Sequence, residues 1–267
     1  MTTRLCVFGN SHAASLREAW LRDAGRWPQL HLDFMAAQKD HLLQTEVRDG
    51  RLVPTHPETE AAFRRISGIS SIRLADYDGF IIAGAAICLN AVLPVYRDCQ
   101  WVGLPSRGHT KDPARQAKLL ISRAAAHATM QDILRSRLGA VLADRLRQNG
   151  QQPVFVTAQP RISAEILTAP RPVTRLHNIA IRNYDADILG QDFDQAATGM
   201  LAGIGCTFIA QPATTVSHGV LTGLEFVQGA VRLTAGMDAP QPAADILHAN
   251  GLYGALVLDQ IAAALTL

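Results

Sequence analysis

Across 267 residues there is no apolar run long enough to cross a membrane, no dense patch of one charge and no paired-cysteine spacing. Each absence excludes something. Without a charge-free stretch of about 18 or more apolar residues, no membrane-spanning helix is expected. The formal net charge is only +2, so no strong field for nucleic acid or an anionic membrane is implied. Lysine is scarce (Lys39, Lys111 and Lys118), and the more numerous arginines are scattered without a basic tract or interleaved aromatics. The four cysteines, Cys6, Cys88, Cys99 and Cys206, form no CxxC pair, and no His/Cys/Asp cluster has zinc spacing. Thr2, Thr3 and Arg4 lead straight into a run too short for a secretory signal. Together these features predict a cytoplasmic protein without a metal or organic cofactor.

What is present is a repeating strand-then-helix pattern. Leu5–Phe8, Leu30–Met35, Asp76–Gly84, Pro153–Ala158 and Cys206–Ala210 read as strands, separated by helix-forming stretches. This predicts an α/β fold: a three-layer α/β/α sandwich with a mainly parallel five-stranded sheet. One domain, 1–267, is the economical reading, with insertions at about 41–70 and 100–148. Val47–Val53 reads as a hairpin around Asp49-Gly50, and Leu224–Leu233 as another around Gln228-Gly229. Asp112-Pro113 reads as a helix start. From Ala114 to Arg147 the chain reads as two consecutive helices broken near Ala128-Thr129.

Gly9-Asn10-Ser11-His12 follows the first strand. Its glycine permits a tight turn, and Ser11 then falls at a helix N-terminus, where it is either a cap or a nucleophile. At the far end, Asp245 and His248 stand three apart before the apolar helix from Gly251, so the carboxylate can orient the imidazole as a general base. His218 is a rival base without that context. Gln159 and Arg161, just past the fourth strand, are candidates for holding a substrate at the C-terminal sheet edge. His12 is a further candidate at the mouth of the site.

Together these two ends resemble the SGNH/GDSL hydrolases. That family opens with Gly-Asp-Ser-x-x-x-x-Leu and closes with Asp-x-x-His. Here Gly9, Ser11 and Leu16 match the opening, with Asn10 in place of Asp. The Gly-Asn-Ser-His form looks closest to esterase-like domains tied to polysaccharide acylation. The resemblance implies a flavodoxin-like sheet and a triad of Ser11, His248 and Asp245. It further implies an oxyanion hole built from the N–H of Ser11, that of Ala36 or Ala37, and the loop after Gly84. The family's Asn after that glycine is missing, and Asn90 is the candidate replacement. The implied activity is hydrolysis of a short acyl ester, such as acetyl, on a carbohydrate or other small molecule. Two alternatives stay open: acyl transfer to a sugar hydroxyl with the same triad, or non-catalytic carbohydrate binding on a decayed hydrolase scaffold. A nucleotide-binding reading lacks its glycine motif. The oligomeric state is not indicated.

Overall fold

A computed structural model describes residues 2–37, 40–108, 118–237 and 239–265. The chain begins with β1 (Thr3–Gly9), α1 (Ala13–Arg22) and β2 (Leu30–Ala36). Then come β3 (Thr45–Arg48), β4 (Arg51–Pro54), α2 (Pro57–Ser67), β5 (Ile72–Arg73) and β6 (Gly79–Ala83). The middle contains α3 (Leu89–Asp98), β7 (Cys99–Trp101), β8 (Leu119–Ile121), α4 (Arg123–Arg135), α5 (Leu138–Asn149) and β9 (Val154–Thr157). The last part contains α6 (Arg175–Arg182), α7 (Ala186–Ala202), β10 (Thr207–Ile209), β11 (Val216–Ser217), β12 (Leu221–Thr222) and α8 (Gly251–Ala264).

The central sheet has five strands in the order β2-β1-β6-β9-β10, all parallel. This is the flavodoxin-like order, in which the chain reverses its direction of winding between β1 and β6. The strands are short and wholly apolar at the centre, as strands covered on both faces must be: β6 is Gly79-Phe80-Ile81-Ile82-Ala83 with every residue buried. Alternate side chains feed two cores. Leu5 and Val7 of β1 pack with α1 and α8 on one face, while Cys6 and Phe8 join the larger core under α3, α4, α5 and α7 on the other. The architecture is therefore α/β with helices on both faces of the sheet.

Several expectations are corrected. The stretch 114–147 is not helical throughout: Leu119–Ile121 is a strand paired in parallel with β7, and the break between helices falls at Ser136-Arg137 rather than 128–129. Ser122 caps α4 by accepting from Ala125 N–H, which starts that helix later than periodicity suggests. α5 is the crossover helix that packs on β6 and β9. Residues 224–233 form no hairpin; Leu224–Phe226 is a 3-10 turn, and the small hairpin here is β11–β12. The turn at Asp49-Gly50 does join β3 to β4, with both residues at positive φ (52° and 70°). The expected helix start at Asp112-Pro113 lies outside the described residues. All four cysteines are free thiols, and burial raises the Cys6, Cys88 and Cys206 thiols above the usual range. Among the described residues no helix is long and apolar enough to cross a membrane.

Candidate functional site

Open parallel sheets bind ligands beyond the C-terminal strand ends, at the point where the winding reverses. Here that crevice lies between the loop after β1, which carries Ser11, and the loop after β6, which begins at Gly84. α1 starts only at Ala13. Ser11 therefore precedes the helix, and its hydroxyl makes no cap. It meets His248 instead, with Oγ 2.9 Å from Nε2. The other ring nitrogen, Nδ1, is 3.0 Å from Asp245 Oδ1.

These contacts fix the tautomer. An ionised carboxylate only accepts, so Nδ1 carries the proton and Nε2 presents its lone pair to the serine O–H. Asp245 grips His248 a second time, accepting its backbone N–H on Oδ2 at 3.0 Å. The His248 and Asp245 side chains are largely buried, at 16% and 14% exposure. Burial pushes the Asp245 carboxyl up, but its bonds to the ring and N–H of His248 and to Leu247 N–H outweigh this and leave it below its ordinary value.

The strap 245–250 is pinned from both ends. Asn250 caps α8, its Oδ1 accepting from Leu252 and Tyr253 N–H, while its Nδ2 donates to Glu225 and Gln228 carbonyls. Upstream, Arg171 donates to the Ala244 carbonyl at 2.6 Å, and Ser163 N–H to that of Ile246 at 2.8 Å. Neither Asn250 nor Arg171 stood out as a site residue in the sequence. A capping asparagine ahead of an apolar helix was the available signal for the first; a contact across 73 residues gave none for the second.

His12 is not at an open mouth. Its ring is 9% exposed and stacks on that of His248, with centroids 4.7 Å apart and planes at 19°. Its backbone N–H donates to Asn10 Oδ1, so the Asn10 side chain helps to set this turn. Its Nδ1 is buried without a partner. Burial, aided by the charge of His248, lowers its pKa to about 3, so the ring stays neutral. Gly84 is what allows the close approach: a Cβ there would stand 2.9 Å from His12 Cβ, and its φ is +69°. Gln159 follows β9 in the same place, its Cα 3.5 Å from that position.

The expected oxyanion donors fare differently. Ala36 N–H donates to Ser67 Oγ, Ala37 N–H to the Gly9 carbonyl and Gly84 N–H to Thr157 Oγ1, so these three are engaged elsewhere. Asn90 Oδ1 is taken by His177 Nε2 at 2.9 Å. Among the described residues Ser11 N–H has no acceptor, and neither have those of Ala85 and Ala86. The latter two form the centre of a tight turn closed by Ile87 N–H on the Gly84 carbonyl, both at positive φ (45° and 64°). Left-handed alanine costs about 1–2 kcal/mol per residue, a strain that clusters at functional sites.

Arg161, a candidate for holding a substrate, is engaged within the protein. It is 6% exposed, ion-paired to Asp194 at 3.0 Å and bonded to the Gly219 carbonyl. His218 sits at positive φ in the β11–β12 turn, bonded to Ser217. Among the described residues no group of His, Cys, Asp and Glu gathers as a metal site requires.

Comparison with known families, characterised proteins and solved structures finds no match. The chemistry of this chain therefore stands on its own geometry.

Proposed function

We propose that the chain is a serine esterase in which Ser11, His248 and Asp245 act as the triad. One observation carries this reading: the continuous relay from Ser11 Oγ through both nitrogens of His248 to a carboxylate that also holds the ring's backbone.

The step begins when Ser11 Oγ attacks an ester carbonyl and its proton passes to His248 Nε2. Asp245 holds the tautomer and stabilises the imidazolium. The tetrahedral intermediate collapses, the C–O bond to the alcohol breaks, and the Nε2 proton goes to the leaving oxygen. Water, deprotonated by the same nitrogen, then releases the acid. Charge on the carbonyl oxygen needs donors in place beforehand, and loss of one such donor costs roughly 100- to 1,000-fold in rate. The free N–H of Ser11 is the first candidate, and the strained pair Ala85 and Ala86 supplies the others. The resemblance in the opening and closing motifs favours a short acyl group, such as acetyl, on a carbohydrate.

The test is labelling with a fluorophosphonate probe alongside turnover of p-nitrophenyl acetate. Wild type should label; Ser11→Ala should not, and His248→Ala should label at least about 1,000-fold more slowly. Equal labelling of wild type and Ser11→Ala would overturn the reading.

A further inference from the structure

Two depressions flank α6, and one of them borders the strap that carries Asp245. One, about 260 Å³, lies between residues 244–247, Asn90 and the buried side of α6 with Thr174 and His177. The other, about 540 Å³, runs along the opposite side of α6 against Ile166 and Leu167. Arg171 lines both. Beyond it Arg175, Asn178 and Arg182 line the larger groove, spaced i, i+3 and i+7 along one stripe of α6.

Among the described residues the two arginines of this stripe have no counter-charge paired with them. Arg171 is occupied by the Ala244 carbonyl and, at 3.5 Å, by Glu165. Among the described residues Arg175 and Arg182 have no ion-pair or side-chain hydrogen-bond partner, and both are exposed. Elsewhere on the surface most arginines at comparable exposure are matched, as in Arg22–Glu18, Arg64–Glu60 and Arg97–Asp98. Two open guanidinium forks flanking an amide, over an apolar floor of Ile166, Leu167 and Ile181, suit carboxylate or phosphate groups repeated along a chain. In the smaller cavity, His177 Nε2–H on Asn90 Oδ1 leaves the Asn90 NH2 to donate to a sugar hydroxyl.

We propose that the α6 groove binds an acidic saccharide, with its carboxylates or phosphates on Arg175 and Arg182, as a part of the ester substrate. This rests on the esterase reading for the reaction, though not for the binding.

The experiment separates the two. Ser11→Ala protein, which cannot turn over an ester, is titrated calorimetrically with an oligogalacturonate, with a phosphorylated oligosaccharide of equal length and with a neutral xylo-oligosaccharide. The acidic ligand should bind at least about tenfold tighter than the neutral one at low salt, and lose that advantage near 0.5 M salt. Whichever acidic ligand binds tighter identifies the anion. Adding Arg175→Gln with Arg182→Gln should weaken acidic binding about tenfold while changing neutral binding less than about twofold. The control Arg65→Gln, on α2, should change neither. Equal affinity for acidic and neutral ligands, or no effect of the double substitution, overturns the groove. Retained acidic binding in a wild type that neither labels nor hydrolyses overturns the esterase reading and leaves the groove standing.

Discussion

His12 is a buried imidazole whose Nδ1 has no hydrogen-bond partner among the described residues, laid flat against the ring of His248. Its contribution is the face of its ring, which limits how His248 can turn on its Asp245 bonds. His12→Phe keeps a flat aromatic face and should retain kcat within about tenfold. His12→Ala opens a gap and should lower kcat by about 10- to 100-fold with KM little changed. A kcat that falls equally in both variants would show that the ring's nitrogens matter instead. At this scale the sequence was partly readable. Ser11, Asp245 and His248 stood in short local patterns, and the structure brings them within hydrogen-bond reach. The partners that hold them were not readable, because Arg171 and Gly84 act on residues 73 and 72 positions away, respectively, in the chain. The alanine donors failed as predicted because neighbouring acceptors, Ser67 Oγ and the Gly9 carbonyl, take those N–H groups first.

At the scale of elements, two helices decide whether Ser11 and His248 meet. Ser11 leads into α1 and His248 into α8, and these helices cross in contact on one face of the sheet. Gly254 sits at the crossing: a Cβ there would lie 2.0 Å from the Ser15 carbonyl oxygen, a backbone atom that cannot swing away. Gly254→Ala should therefore force the helices apart, costing about 1–3 kcal/mol in denaturant unfolding, and should lower kcat/KM more than that loss of stability alone explains. Gly251→Ala meets only the flexible Glu18 side chain and should be milder in both assays. In the turn after β6, Ala86→Gly relieves a left-handed alanine and should raise stability by about 1 kcal/mol. If the turn aims its N–H groups at the oxyanion, activity in that variant should fall as the turn loosens. The strands and most helices were legible because apolar runs and their spacing are local. The β7–β8 pair was not, because its residues Leu119–Ile121 lie in a helix-forming stretch and become a strand only through a partner twenty residues earlier.

For the whole molecule, acid should be the weak side. His12 and His177 are buried and neutral, with pKa values lowered to about 3 and about 4 by desolvation. In the unfolded chain both take up a proton near pH 6.5. Between about pH 6.5 and these lowered values the unfolded state binds more protons, so stability is full above that window and declines as pH falls through it. Each histidine contributes up to about 1.4 kcal/mol per pH unit there. The lowered carboxyl of Asp245 adds to the loss at the acid end. Urea midpoints measured from pH 7 to pH 4 should fall, and His177→Phe should make the fall shallower.

The two halves of the relay are 237 residues apart in the chain. During synthesis Ser11 emerges well before His248, which follows 237 residues later, just ahead of α8. On the esterase reading proposed above, until His248 docks the serine is an ordinary hydroxyl, unable to attack an ester. Reactivity toward a fluorophosphonate then becomes a clock for the docking of α8. In a refolding experiment its appearance should lag the recovery of secondary structure and coincide with the final burial of Tyr253.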